Sequence, residues 1–300
     1  MGNSRCVSAP CVCERCDQIE SCDEKKIDQD SALDAEHVRS VITITPSYSK
    51  FAEDSQKLEE RPMFQFRDGA QYTGQWLGAY RHGQGVQVSA DGARYEGNWE
   101  NDRAHGCGAM QHADGDTYQG EWVADRKHGQ GTYVHADGAK YVGQWEHDMQ
   151  SGAGSEEWCD GATYEGQYSN GQKHGFGKYG WAGGSYYEGQ FVNNEIQGVG
   201  IYVWSVGAKF DGQWRNQKMN GKGVFLYADG RMYEGEYLND LLHGHGVFTW
   251  PDGRQYAGQW ANNLQHGKGL YTNSKGEKHS GEWEEGRRLN KTPRGNGSSE

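Results

Sequence analysis

Proline, aliphatic side chains and long apolar runs are all scarce in this sequence of 300 residues. Only 5 residues are proline, which excludes a collagen or a proline-rich polymer. Hydrophobic residues make up 34% of the chain, too few for one deep aliphatic core. No apolar run approaches the roughly 20 residues that cross a bilayer, and no apolar stretch of a secretory signal follows the first residue. A cytosolic, reducing location is therefore expected.

A positive surface is also missing, because 42 Asp and Glu outnumber 30 Lys and Arg and give a net charge of −12. This balance excludes the basic patch that nucleic-acid binding needs. Glycine is in excess, with 46 residues, together with 11 Trp and 18 Tyr. Disordered chains lack such aromatic residues. The combination fits a thin structure in which rings pack against glycines instead of against Leu, Ile and Val.

An internal repeat of 23 residues organises most of the chain. Its first motif is aromatic-x-Gly-x-aromatic, its second is Gly-x-Gly and its third is Asp-Gly, and they keep the same step. The first motif begins at Tyr72, Tyr95, Tyr118, Tyr141, Tyr164, Tyr187, Phe210, Tyr233 and Tyr256, with a degenerate copy at His279. Three motifs that recur with the same 23-residue step cannot arise by chance.

Alternation within each copy predicts two strands and two turns. Side chains alternate along a strand, so Tyr95, Gly97 and Trp99 share one face while Glu96 and Asn98 occupy the other. Aromatic and β-branched residues favour strands, and Asp-Gly is a strong signal for a short hairpin. Two strands cannot bury such a face alone, but stacked copies can. Ten copies of about 10 Å each predict a rod of roughly 100 Å.

The limits of the repeat divide the chain into three regions. Residues 62–286 form the array, which opens with a half repeat at 62–69 and closes with a charged copy, as a solenoid cap requires. Residues 1–61 are expected to be mostly disordered, with a short helix over 50–61 that leads into the array. Residues 287–300 are expected to form a disordered tail.

The motif from Tyr95 to Trp99 and the later His128-Gly129-Gln130-Gly131 resemble the MORN (membrane occupation and recognition nexus) repeat, and the resemblance covers residues 63–286. It implies an all-β fold, an elongated single-layer antiparallel β-sheet solenoid of 23-residue MORN hairpin repeats. It also implies scaffolding, with protein partners bound along a groove, self-association and, in some members, phosphoinositide binding. Some MORN proteins carry an enzyme domain, but too few residues lie outside this array for one, so neither catalysis nor a cofactor is expected.

The middle copies depart from the pattern. Gly183-Gly184 and Val206-Gly207 stand where other copies have Asp-Gly, and Tyr168 and Phe191 replace Trp. These copies are expected to differ from the others in curvature or in partner contact.

Aromatic residues of the second strand are the candidate partner contacts. Most of the ring stripe must be core, but a single-layer sheet leaves part of its inner face accessible, and exposed aromatic grooves bind partners. The candidates are Trp158, Trp181, Trp204, Tyr227 and Trp250. A helix or strand of a protein partner is the expected occupant.

Histidine recurs at one phase of the repeat, at His82, His105, His128, His174, His243 and His266. Stacked imidazoles suggest a metal or proton site, whereas the structural interpretation is a turn residue that packs on a ring and bonds the backbone. Neighbouring copies would hold these side chains about 10 Å apart, too far to share one metal. This distance favours the structural interpretation.

Basic residues cluster in the turns before the His-Gly positions, at Arg81, Arg103, Arg126, Lys127 and Lys173. Aligned along one edge, they could meet acidic lipid headgroups. Acidic residues stand beside them, so a solvated edge is the preferred interpretation.

The amino-terminal segment predicts a lipid anchor. The residues Met1-Gly2-Asn3-Ser4-Arg5-Cys6 resemble a myristoylation start, although Cys6 stands where Ser or Thr is usual. Because one acyl chain binds membranes marginally and two hold firmly, the anchor would combine acylation of two or more residues. The candidate lipidation sites are Gly2, Cys6, Cys11, Cys13 and Cys16. The alternatives are a thiolate metal site that adds Cys22, or free thiols.

The function expected from these features is that of a non-enzymatic scaffold, held by lipid on the cytoplasmic face of a membrane and linked to a cytoskeletal or membrane-associated protein. One alternative is a soluble component of a cilium or another cytoskeletal assembly. Another is an accessory subunit that positions an enzyme such as a lipid kinase. A homodimer is also expected to be possible, because an open sheet end can pair with another.

Overall fold

The computed structural model describes residues 57–289, and within them every element of secondary structure is a β-strand. Twenty-one strands form one sheet, in which each strand pairs antiparallel with the next along the chain. The predicted all-β, single-layer antiparallel architecture is confirmed. Predictions for residues 1–56 and 290–300 lie outside the described residues.

The strands alternate between seven and nine residues through the array. In chain order they are β1 (Leu58–Gln65), β2 (Gln71–Leu77), β3 (Tyr80–Val88), β4 (Arg94–Glu100), β5 (Arg103–Gln111), β6 (Thr117–Val123), β7 (Arg126–Val134), β8 (Lys140–Glu146), β9 (Met149–Glu157), β10 (Thr163–Ser169), β11 (Gln172–Gly180), β12 (Tyr186–Val192), β13 (Glu195–Val203), β14 (Lys209–Arg215), β15 (Lys218–Leu226), β16 (Met232–Leu238), β17 (Leu241–Thr249), β18 (Gln255–Ala261), β19 (Leu264–Thr272), β20 (Lys278–Glu284) and β21 (Arg287–Arg288).

Two kinds of turn connect the strands, and the tighter one is not at Asp-Gly. Between β4 and β5 the turn is Asn101-Asp102, with φ angles of 48° and 66°, as a type I′ hairpin requires. Asp-Gly lies instead in the longer link between an odd strand and the next even strand, such as 112–116. There the N–H of Gly115 donates to the His112 carbonyl at 3.1 Å. The expectation of a short hairpin at Asp-Gly was therefore wrong in length, although a turn does form there.

The short turns also join consecutive repeats. The N–H of Asp102 donates to the carbonyl of Arg81 at 3.0 Å, and the Asp102 carboxylate accepts the N–H of Arg81 at 2.8 Å. The same double link joins Asp125 to Ala104 and Asn263 to Leu242. Asp and Asn suit this position because they tolerate a left-handed backbone and carry a short acceptor.

From β2–β3 to β18–β19, a bulge at Gly-x-Gly bends each pairing of an even strand with the odd strand that follows. In β4 and β5 the pair Gly97–Gly108 is followed by Trp99–Ala104, so three residues of β5 oppose one residue of β4. The residue before the second aromatic residue of each motif accepts a hydrogen bond from a backbone N–H in the bulge. In the first repeat the Gln75 side chain accepts the Gln84 N–H at 2.8 Å. Most later repeats repeat this bond, at Glu121, Gln144, Gln167, Gln190, Gln213, Glu236 and Gln259.

The core is a layer of rings that lies flat on one side of the sheet, which we call the aromatic face. The Tyr72 ring crosses the glycines so closely that a Cβ at Gly85 would overlap it, and its hydroxyl donates to the Gln75 carbonyl at 2.9 Å. The Trp99 Nε1–H then donates to the Gly85 carbonyl of the preceding repeat at 3.1 Å. Edge-to-face contacts of 5.2 and 5.4 Å join Tyr72 to Trp76 and Trp99. Such contacts recur along the array and stabilise it by about 0.5–1.5 kcal/mol each.

At each end of the array an arginine lies over the outermost tryptophan of the aromatic face. The first strand begins at Leu58, so the helix predicted over 50–61 was wrong for residues 58–61, where pairing with β2 provides backbone partners. Arg61 lies 5.3 Å from the Trp76 ring and donates to the Gly78 carbonyl at 2.8 Å. At the other end Arg288 lies 5.7 Å from the Trp283 ring and donates to the Ser280 carbonyl at 2.8 Å.

Candidate functional site

A row of partly exposed rings runs along one border of the aromatic face. We call it the aromatic rail, and it consists of Trp158, Trp181, Trp204, Tyr227 and Trp250. These residues follow the strand ends directly instead of lying within the second strands as predicted. Each begins a long turn, as where the Trp158 N–H donates to the Ala162 carbonyl at 2.9 Å. The turn therefore fixes the backbone of each rail residue.

The five residues predicted as partner contacts form one continuous stack with the rings of the neighbouring strands. Successive ring centroids lie 4.4–5.8 Å apart from Trp158 to Trp250. The rings that lie between the rail residues are Tyr179, Tyr202, Phe225 and Phe248. The side chain of Trp181 is the most exposed of the rail, at 36% for the residue, so the stack presents ring surface to solvent.

Cations cover the two ends of the rail but not its centre. Lys173 lies 4.6 Å from the Trp158 ring, and Arg231 and Arg254 lie 4.8 and 5.5 Å from the rings of Tyr227 and Trp250. Within residues 57–289 no lysine or arginine lies over the two central rings. The accessible centre of the rail is therefore Trp181 and Trp204.

Three of the basic residues expected on a solvated edge lie on the aromatic face instead. Arg81, Lys127 and Lys173 each pair across a strand with a ring of the motif, and that register turns them inward. Arg81 lies 4.3 Å from the Trp99 ring, and Lys127 lies 4.3 Å from the Tyr133 ring. The expectation was wrong for these three, while Arg103 and Arg126 are exposed.

The charge of the aromatic face changes along the array. Arg81 is paired with Asp102 at 3.1 Å and Lys173 with Glu156 at 3.4 Å. Burial among rings lowers the pKa of Lys127. In the following repeats the same column holds Ile196, Met219 and Leu242. In the amino-terminal half of this column the cations alternate with Ala104 and Gln150, and in the carboxyl-terminal half the three apolar residues are followed by Gln265.

The histidines lie at the bulges, where they contact turn residues. His105 Nδ1 lies 3.1 Å from the Glu100 carboxylate, and the Asn101 N–H donates to His82 Nδ1 at 3.5 Å. His128 packs against His147, with ring centroids 5.8 Å apart. Over the part of the chain that the structure describes, no three His, Cys, Asp or Glu side chains come together as a metal site.

A polar network that joins the second and third repeats was not predicted from the sequence. The Tyr133 hydroxyl donates to Asp116 at 2.6 Å, His135 Nδ1 lies 3.1 Å from the same carboxylate, and the Ala136 N–H donates to it at 2.9 Å. These bonds, that of Tyr133 first, hold the pKa of Asp116 below its usual value. The available signal was Asp116 itself, which occupies the position that is alanine in several other repeats, such as Ala139.

The predicted lipidation residues, Gly2, Cys6, Cys11, Cys13 and Cys16, lie outside the described residues. The same holds for Cys22, which was weighed for a thiolate metal site. From residue 57 to residue 289 the chain forms no helix that could cross a membrane.

The family profile of the MORN repeat matches nine consecutive segments of the chain. These are residues 72–94, 95–117, 118–140, 141–163, 164–186, 187–209, 210–230, 233–253 and 256–278. No curated protein matches the sequence.

Solved structures resemble the chain only in general form. One is the TCP10 domain of Danio rerio CPAP in complex with a peptide of Danio rerio STIL, at 10% identity and a TM-score of 0.38, with 74% of this chain and 99% of that chain covered. Another is the SAS-4 (dCPAP) TCP domain of Drosophila melanogaster in complex with a proline-rich motif of Ana2, at 11% identity and a TM-score of 0.31, with 66% and 88% covered. At TM-scores this low the resemblance carries no functional argument.

Proposed function

This chain belongs to the MORN-repeat family, and from that premise we propose that it is a non-enzymatic scaffold that binds a segment of a partner protein along its aromatic rail. The observation that carries the proposal is the unbroken stack of rings from Trp158 to Trp250, whose centre is accessible. Aromatic side chains supply large contact area at low entropic cost and are enriched at binding hot spots. A repeat fold suits this role because it extends one such surface over many copies.

The outer face of the sheet offers a matched control for the rail. Its Phe176 ring is 59% exposed and stands on the side opposite Gly177 and the aromatic face. Loss of Phe176 removes about as much exposed ring surface as loss of a rail ring, but leaves the rail intact. The comparison separates binding by the rail from nonspecific adhesion of exposed rings.

The test is affinity capture from cells with the full chain and three variants, Trp181→Ala, Trp204→Ala and Phe176→Ala. We expect the first two to lose the same set of bound proteins and Phe176→Ala to retain it. Circular dichroism of each purified variant confirms that the sheet is intact. A bound set that is equal for all four proteins would show that the rail does not hold the partner.

The second part of the proposal is attachment to the cytoplasmic face of a membrane through acylated Gly2 and one or more of Cys6, Cys11, Cys13 and Cys16. Two acyl chains give stable attachment where one does not. Metabolic labelling with a myristate analogue should label the wild-type chain and not Gly2→Ala, and fractionation should move Gly2→Ala into the supernatant. Wild-type chain without label would favour the soluble cytoskeletal or ciliary component.

Two further parts concern the partner and the oligomeric state. If the captured proteins include a lipid kinase, the chain is an accessory subunit that positions that enzyme. Among the described strands nothing pairs with the outer edge of β1, so edge pairing offers a route to a homodimer. Sedimentation of the purified chain at several concentrations measures whether such a dimer exists.

A further inference from the structure

We propose that the segment bound by the aromatic rail is proline-rich and adopts the polyproline II conformation, with every third residue against a successive rail ring. The inference rests on the proposed function of the rail and names the chemical class of its partner. It depends on three features of the rail centre: its spacing, its hydrogen-bonding groups and its charge.

The spacing of the rail matches the pitch of a polyproline II helix. Equivalent residues of neighbouring repeats are two strands apart, which is about 9.6 Å. The ring steps are compatible with this spacing, since centroid distances of 5.1 Å from Trp181 to Tyr202 and 4.4 Å from Tyr202 to Trp204 set an upper limit close to it. A polyproline II helix rises about 3.1 Å per residue with three residues per turn, so one turn advances about 9.3 Å. Each turn therefore presents one residue to one rail ring.

Other backbone conformations lose this register. An α-helix rises about 1.5 Å per residue, so one repeat corresponds to about 6.4 residues, which is not a whole number of turns of about 3.6 residues. A β-strand advances about three residues per repeat, but its side chains alternate, so successive contacts would face opposite ways. Only the threefold helix returns the same face to each ring of the rail.

The hydrogen-bonding groups of the rail are complementary to proline. The indole N–H groups of Trp181 and Trp204 bond no acceptor among residues 57–289, in contrast to Trp99 and Trp214, whose N–H groups bond backbone carbonyls inside the sheet. An indole donates and does not accept. Proline has a carbonyl acceptor and no N–H donor. The rail centre thus offers aromatic ring faces and N–H donors to a ligand that consists of apolar pyrrolidine rings and carbonyl acceptors.

The charge around the rail centre favours an uncharged ligand. The two long turns that follow Trp181 and Trp204, residues 182–185 and 205–208, contain no charged residue. The cations at the rail ends already have anionic partners, since Lys173 lies 3.4 Å from Glu156 and Arg231 lies 2.7 Å from Asp229. A charged partner would therefore lose hydration without gaining an unpaired counter-ion. A proline-rich segment avoids that loss.

The probe is a capped 15-residue peptide of five Pro-Pro-Ala units with a fluorescent label, titrated with the full chain and followed by anisotropy. We expect saturable binding, a loss of about tenfold or more in affinity for Trp181→Ala and for Trp204→Ala, and no change for Phe176→Ala. The variant Trp204→Phe, which keeps a ring but removes the donor, should show an intermediate loss. It also guards against misfolding of the alanine variants.

Two control peptides test the conformation and the register. A helix-forming peptide of three Glu-Ala-Ala-Ala-Lys units has the same length and should not bind. Prolines spaced by three residues should bind more tightly than prolines spaced by four in an otherwise matched alanine peptide. No binding of the Pro-Pro-Ala peptide, equal binding by all variants, or tighter binding of the helical peptide would overturn the inference. If the rail variants lose their cellular partners while the proline peptide fails to bind, the proposed function stands and this inference falls.

Discussion

The glycines under the tyrosine rings should be intolerant of even one added methyl group. Gly200 in β13 pairs with Gly189 on one side and Gly212 on the other, and the ring of Tyr187 crosses it. A Cβ at Gly200 would overlap that ring, so Gly200→Ala forces Tyr187 off the sheet. The ring would lose its hydroxyl bond to the Gln190 carbonyl at 3.1 Å.

The magnitude follows from the contacts of the displaced ring. Overpacking costs about 1–3 kcal/mol. Tyr187 also contacts Phe191 and Trp214 at centroid distances of 5.2 and 5.6 Å, and each such pair is worth about 0.5–1.5 kcal/mol. The alanine also lowers the conformational entropy of the unfolded chain, which offsets about 0.4–1 kcal/mol of this destabilisation. We therefore expect Gly200→Ala to lower the free energy of unfolding by about 1–6 kcal/mol.

Two other glycines separate crowding from backbone strain. At Gly183 a Cβ would meet open space and the backbone is ordinary, so Gly183→Ala should be neutral or stabilise by about 0.4–1 kcal/mol. At Gly207 the space is also open but φ is 87°, so Gly207→Ala should cost about 1–2 kcal/mol from strain alone. Urea denaturation followed by tryptophan emission measures all three variants.

Hydrogen exchange should locate the damage from Gly200→Ala. Each repeat contacts only its neighbours, so faster exchange should be confined to β12, β13, β14 and the adjacent strands. If Gly200→Ala were as stable as Gly183→Ala, the rings would not lie on the glycines and the account of the core would be wrong.

Three further predictions concern the tyrosines, the short turns and the carboxyl-terminal end. Burial raises the pKa of Tyr72 and Tyr164 to about 12 from 10.0. The free energy of unfolding should therefore be unaffected by these groups below pH 10 and should fall as pH rises from 10 through 12. Tyrosinate absorbance should then rise in one step with unfolding, and titration near pH 10 in a folded chain would contradict this. Asn263→Ala removes the acceptor of the Leu242 N–H and strains a residue at φ 68°, so denaturant melts should show a loss of about 1–2 kcal/mol, with a smaller loss for Asn263→Gly. Arg288→Ala removes the bond to a backbone carbonyl and the cover of the last tryptophan, so exchange of β20 should accelerate, whereas an unchanged rate would show that the cap is dispensable.

The rail residues could be predicted from the sequence, but the positions of the basic residues on the sheet could not. The repeat period fixed the positions of the rail residues, so Trp158 to Trp250 could be singled out before any coordinates. Lys127 could not be placed, because its short turn, Ala124-Asp125, is a weaker signal than Asp-Gly. Without that turn, the sequence pattern predicts Arg81, Lys127 and Lys173 as turn residues, whereas the structure has them as strand residues that face the rings.

A strict period and side-chain alternation are local properties of the chain, so the 23-residue step, the antiparallel strands and the ring-bearing face can be predicted from the sequence. Which ring lies on which glycine, and which cation lies over which ring, depends on the folded sheet. Those contacts join residues of different repeats, such as Trp99 and the Gly85 carbonyl, and they depend on the two-residue bulge that sets the register between strands. The accessible centre at Trp181 and Trp204 results from this arrangement, because the folded sheet places no lysine or arginine of residues 57–289 over those two rings.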